Sequence, residues 1–126
     1  MSSILIVDDS ASARMIARRC LSIAGQSGAV FLEAEHGRAA LEVLKSNTID
    51  LVVADLNMPI MDGRTLIRFM RSSPRLNEIP VLVVSSLVNE ATEAELHAMG
   101  ATLVLRKPIN PAMMAAAISQ VNGVQA

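Results

Sequence analysis

Apolar residues along this chain follow two rhythms. Short, unbroken aliphatic runs occupy residues 4 to 7, 29 to 32, 51 to 54, 81 to 84 and 103 to 105. After each comes a longer stretch in which apolar positions recur at the three- and four-residue spacing of one helix face. The runs do not alternate with polar residues, so their strands are buried on both sides, as in a parallel sheet with helices over each face. The pattern predicts a βα unit repeated five times, with right-handed crossovers, in a doubly wound α/β sandwich. In the first helix, Asp9 and Ser10 are candidate caps. Ile16, Ala17, Cys20, Leu21 and Ala24 share its apolar face, and Gly25 ends it. Further helices are expected near 38–46, 63–72, 89–99 and 110–121, with Asn89 and Asn110 as caps and Pro74 and Gly100 as stops. Arg64, Arg68 and Arg71 fall on one side of the third of these helices, opposite Leu66 and Met70, and are expected to form a solvated face.

Composition narrows the function. A chain of 126 residues has the size of one domain, and residues 1–126 are read as a single domain with no effector attached. Eleven basic and twelve acidic residues leave a net charge of -1, too little to hold nucleic acid or an anionic membrane. There is no Trp or Tyr and only two Phe, so the core is expected to be aliphatic with methionine as filler, and no stacking platform for single strands is expected. Cys20 is the sole cysteine, which excludes an intramolecular disulfide and reads as a buried, inert thiol. The opening apolar run stops at Asp8 and Asp9, so it is neither a secretory leader nor a membrane span, and a soluble, cytoplasmic protein is expected.

The chemistry gathers at the carboxyl ends of the strands, where doubly wound sheets bind ligands. The first strand ends in Asp8 and Asp9, the third in Asp55, the fourth in Ser85 and Ser86, and the fifth in Arg106 and Lys107. All these ends face one edge of a parallel sheet. Three carboxylates that close repel one another unless a cation shares the pocket, and an all-oxygen site of this kind suits Mg²⁺. Mg²⁺ beside an ammonium and a hydroxyl is an arrangement for holding a transferring phosphoryl group, with Asp55 as nucleophile. Each residue has a plainer role open to it: Asp8 or Asp9 as a helix cap, Asp55 and Ser85 as turn residues, Lys107 as a solvated strand end. Their convergence on one edge favours the joint site.

The runs "ILIVDDS", "EAEHGRAALEVL", "DLVVADLNMPIMDG", "IPVLVVSS" and "LVLRKP", in this order, resemble the receiver domain of two-component response regulators over essentially the whole chain. The resemblance implies a flavodoxin-like (βα)5 fold with strand order 2-1-3-4-5. It implies that Asp55 accepts a phosphoryl group from a histidine of a sensor kinase or histidine phosphotransfer protein. Mg²⁺ would be held by Asp8, Asp9, Asp55 and the backbone carbonyl of Asn57, while Lys107 and Ser85 would contact the phosphoryl oxygens. A cis peptide is implied at Lys107-Pro108. Many receivers carry Tyr or Phe where this chain has Val104, so the resemblance implies that a switch through Ser85 and Ser86 works here by backbone movement, through helix 4, or hardly at all. The implied protein is a signalling domain rather than an enzyme, although self-phosphorylation and dephosphorylation are expected of it.

No charged residue follows Lys107, and the last helix has more apolar residues than one face can bury. Met113, Met114 and Ile118 are therefore candidates for a surface that meets a downstream protein, or a second copy through helices 4 and 5. Two other functions compete. A degenerate receiver that binds partners without phosphorylation is opposed by the presence of Asp8, Asp9, Asp55, Ser85 and Lys107. A haloacid-dehalogenase-type phosphatase would carry Asp-x-Asp after its first strand and a cap insertion, and this chain has adjacent aspartates and no cap.

Overall fold

The computed structural model describes residues 2–125. Five parallel strands, β1 (Ser3–Val7), β2 (Val30–Ala34), β3 (Leu51–Ala54), β4 (Val81–Ser85) and β5 (Leu103–Arg106), lie in the order β2-β1-β3-β4-β5. The helices α1 (Ala11–Leu21), α2 (Gly37–Ser46), α3 (Gly63–Ser72), α4 (Glu90–Met99) and α5 (Pro111–Gln125) connect and cover them. Fold and strand order are those of the flavodoxin-like sandwich that the resemblance implies. Asn89 caps α4 through its Oδ1, which accepts the Thr92 N–H at 2.9 Å, and Gly100 ends α4 with a φ of 114° that favours glycine. Asn110 Oδ1 accepts the Met113 N–H at 2.8 Å at the start of α5.

The unbroken strand runs split by parity between two cores. Leu5, Val7, Val52, Ala54, Val81 and Val83 pack against α2, α3 and α4, with Leu44, Leu66, Ile67, Met70 and Leu96 opposite them. The alternate residues Ile4, Ile6, Leu51, Val53, Leu82 and Val84 pack against α1 and α5. Two-sided burial is why residues 4–7, 51–54 and 81–84 include no polar position, whereas the edge strands β2 and β5 are only partly covered and β2 carries the exposed Glu33.

Three expectations are corrected. Met114 is fully buried and Ile118 is 5% exposed, so neither belongs to a partner surface. With Ala117 and Val121 they occupy positions at three- and four-residue steps, the spacing of a core-facing stripe. Met113 is half-buried, and the outward side of α5 shows mainly Ala112, Ala115, Ala116 and Ser119. On α1, Ile16 is exposed instead of joining Ala17, Cys20 and Leu21 in the core, and the helix runs on as a π-helical turn, Ser22–Gln26, in which Gly25 takes φ 104°. Arg71 does not lie on a solvated face. Its guanidinium turns inward and donates to the carbonyls of Gly100 (2.9 Å), Asn77 (3.1 Å) and Ile79 (2.8 Å), and burial pulls its pKa down. It ties the ends of α3 and α4 to the segment leading into β4. Among the described residues no helix is long and apolar enough to cross a membrane.

Candidate functional site

Strand register brings the acidic residues together. Val7 pairs with Ala54, so Asp8 and Asp55 stand side by side one step beyond the ladder. Their backbone is held there: Asp8 N–H donates to Ala34 O at 3.1 Å, and Asp55 N–H to Val7 O at 3.0 Å. Asp8, Asp9 and Asp55 each offer a carboxylate oxygen within 4.8 Å of the others, with Asp8 buried, Asp9 exposed and Asp55 between. Lys107 reaches over from the β5–α5 loop, its Nζ 3.1 Å from Asp8 Oδ2 and 3.7 Å from Asp55 Oδ1. The backbone N–H of Lys107 donates to Ser85 O at 2.9 Å, and Lys107-Pro108 is cis.

The aspartates do not cap α1. That position belongs to Ser10, whose Oγ accepts the Ala13 N–H at 3.2 Å, while Asp8 Oδ1 accepts the Ser10 N–H at 2.9 Å. Asp9 is thereby left free at the rim. Burial pushes the Asp55 carboxyl above its ordinary pKa, and the charges of Asp8 and Asp9 push the same way. The Lys107 ammonium and the Leu56 N–H oppose that shift without cancelling it. One ammonium against three carboxylates leaves the cluster short of positive charge, and its donors are all hard oxygens. The set fits Mg²⁺, which takes one or two carboxylates and keeps several waters.

The cluster forms the mouth of a cavity of about 420 Å³ between α1 and the β5–α5 loop, with Ile6, Ile16, Val53 and Ile109 among its apolar walls. Ser86 lines this cavity with Asp55 and Lys107. Ser85 does not. It is fully buried, and strand parity turns it toward the α3–α4 side of the sheet, where its Oγ accepts the Leu87 N–H at 3.2 Å and keeps its proton to donate. Asn57 is exposed two residues past Asp55, on the same loop. Val104 is half-buried beside the α2–α4 core.

Two supporting residues lie outside the strand-end pattern. The Arg14 guanidinium donates to the Asp8 carbonyl at 2.6 Å and to Glu33 Oε1 at 2.8 Å, fixing the backbone behind Asp8. Gly63 opens α3 against the backbone of Asp55: a Cβ there would lie 2.3 Å from the Asp55 carbonyl oxygen. Asp62 caps the same helix by accepting the Thr65 N–H at 2.8 Å, a bond that holds its pKa down. The Asp-Gly pair after the loop is the one visible hint of this close approach.

Comparison with known proteins places this arrangement. Residues 4–119 match the model of the response regulator receiver domain. The chain is 34% identical over 112 residues to chemotaxis protein CheY1 of Helicobacter pylori, covering 88% of this chain and 89% of that protein. It is 33% identical over 118 residues to chemotaxis protein CheY of Pseudomonas aeruginosa, covering 94% of each. The solved structure of chemotaxis response regulator CheY4 of Vibrio cholerae superposes with a TM-score of 0.85 at 30% identity, covering 96% of this chain and 98% of that one.

Proposed function

The chain belongs to the response regulator receiver domain family, and we propose that Asp55 is its phosphoacceptor. Asp8, Asp9, Asp55 and the carbonyl of Asn57 would hold Mg²⁺, and Lys107 and Ser85 would meet the phosphoryl oxygens. The observation that supports this most is the meeting of three carboxylates within 4.8 Å with Lys107 at 3.7 Å from Asp55. Nothing in the fold requires such a cluster, and its mutual repulsion opposes folding.

In the proposed reaction a carboxylate oxygen of Asp55 bonds to phosphorus as the P–N bond of a phosphohistidine breaks. The imidazole nitrogen keeps the bonding pair and takes a proton, leaving an acyl phosphate on Asp55. A bound Mg²⁺ supplies the positive charge that lets the carboxylates stay ionised together and offsets charge on the phosphoryl oxygens. Lys107 acts as a compact point charge that moves from Asp8 and Asp55 to the new phosphoryl group. For Ser85 to donate its proton there, its hydroxyl must leave the Leu87 N–H, and the Ser85–Leu87 backbone must follow. Leu87 is 71% exposed ahead of α4, so the displacement reaches the surface.

With no aromatic at Val104, the switch rests on these contacts alone. Charge-assisted hydrogen bonds contribute roughly 1.5 to 3 kcal/mol each, against about 5.5 kcal/mol for a complete two-state reversal. Two contacts sum to roughly 3 to 6 kcal/mol, short of complete reversal over most of that range, and the expected response is a partial shift. The phosphodonor is a sensor histidine kinase or phosphotransfer protein in the cytoplasm. Output goes to a downstream protein, or a second copy, over α4, β5 and α5, where Val104, Met113 and Ala116 line a shallow depression. Incubation with acetyl phosphate and Mg²⁺ followed by intact-mass measurement tests the assignment. The wild type gains one phosphoryl group only when Mg²⁺ is present, and Asp55→Ala gains none; equal incorporation by the variant refutes it.

A further inference from the structure

The α2–α3 face carries an apolar groove of about 470 Å³ that shares no residue with the acidic cluster. Leu41, Met61 and Leu76 line it, and Phe69 stands in it 53% exposed. The chain has only two phenylalanines. The other, Phe31, is half-buried with the Arg18 guanidinium 5.1 Å from its ring centre.

Charge around the groove is net positive. Arg38, Lys45 and Arg75 are exposed on its rim. The single carboxylate among the lining residues, Glu42, is already within 3.4 Å of Lys45. Opposite charge collects elsewhere, in Glu90, Glu93 and Glu95 of α4, so the basic rim is local to a chain whose net charge is -1. The groove is also braced. Arg75 donates to the Lys45 carbonyl at 3.1 Å across the ends of α2 and α3, and Gly37 N–H donates to Met61 O at 2.9 Å at the other end. Aromatic, Met and Arg side chains are enriched in the buried centres of protein interfaces, and an amphipathic helix seats its apolar stripe in a groove of this kind. The sign of the rim selects the partner's flanks.

We propose that the α2–α3 groove docks an acidic amphipathic helix of a partner protein. Phe69 is its apolar anchor, and Arg38, Lys45 and Arg75 face the partner's carboxylates. The test uses the ¹⁵N-labelled full chain and three probes: a synthetic helical peptide with a Leu/Phe stripe flanked by Glu, the same peptide with Lys for every Glu, and a short DNA duplex. The expected result is amide shifts confined to α2, α3 and the loop through Met61, with affinity for the acidic peptide at least about tenfold above the basic one and above DNA. Phe69→Ala and Arg75→Glu each weaken the acidic peptide by about tenfold or more. Equal affinity for both peptides, preference for DNA, shifts centred elsewhere or no binding overturns the proposal. Both variants are to show unchanged Mg²⁺-dependent phosphoryl incorporation, which separates loss of the groove from loss of the fold or failure of the phosphoacceptor assignment.

Discussion

Replacing Asp55 with Asn removes one negative charge from a site that holds three, and in the metal-free protein this should stabilise the fold. Asp55 faces Asp8 and Asp9 with carboxylate oxygens within 4.8 Å. At an effective dielectric constant of about 20, each repulsion amounts to roughly 3 kcal/mol. The attraction to Lys107 at 3.7 Å is about 4 kcal/mol on the same scale. The two repulsions exceed the attraction by about 2 kcal/mol, and screening at exposed Asp9 reduces the net to about 1 kcal/mol. For a chain of this size that corresponds to a rise of about 4 °C in Tm, read by thermal denaturation at pH 7 in a chelator. The pH dependence has a definite sign. A folded-state pKa raised above the unfolded value means that the native state binds the extra proton, so the wild type's penalty is present at neutral pH and relieved as pH falls through the raised value. The advantage of Asp55→Asn therefore shrinks toward acid pH. Saturating Mg²⁺ reverses it, because the ion stabilises the wild type by mass action, by about 2.7 kcal/mol at one hundred times its Kd. An Asn variant no more stable than wild type in chelator, with an unchanged circular dichroism spectrum, would rule out net repulsion at Asp55.

Ile60 adopts φ 68°, a region that penalises β-branched residues, while 71% exposed. Ile60→Gly should raise stability by about 1 kcal/mol in urea denaturation, since it loses little burial and relieves the strain. Arg71→Met keeps the apolar stem and removes all three carbonyl contacts, and should lower stability by about 2 kcal/mol while phosphoryl incorporation persists in the folded fraction. Asp50 accepts the Ser2 and Ser3 N–H groups at 2.9 Å each, and the Ser3 bond leads in holding its pKa down. Its contribution is present above the unfolded pKa and lost as pH falls through the folded one. Asp50→Ala should thus cost about 1 kcal/mol at pH 7 and less at pH 3.

The central strands β1, β3 and β4 were legible because burial on both faces leaves unbroken aliphatic runs, and the first polar residue after each of those runs marks the edge where ligands bind. That is why the sequence alone puts Asp8, Asp55 and Lys107 at one edge. Helix orientation was harder wherever charge was lacking. α5 has no charged residue to show which side faces water, so Met114 and Ile118 read as surplus surface although their spacing with Ala117 and Val121 is that of a core stripe. Arg71 misled in the opposite way. A long basic side chain reads as solvated until three carbonyls from separate segments meet around it. Ser85 and Ser86 differ by one step of a strand, which puts one behind the sheet and the other in the cavity. Which of them faces the cavity depends on strand register, which two adjacent serines do not reveal.

The position of the phosphoryl group can be read chemically. Borohydride reduces an acyl phosphate to the alcohol, so treating the phosphorylated chain and sequencing its peptides by mass spectrometry marks the acceptor as homoserine. Homoserine is expected at residue 55, dependent on Mg²⁺, with Asp8 and Asp9 unmodified. Homoserine at position 8 or 9, or labelling at 55 that persists in chelator, would contradict it.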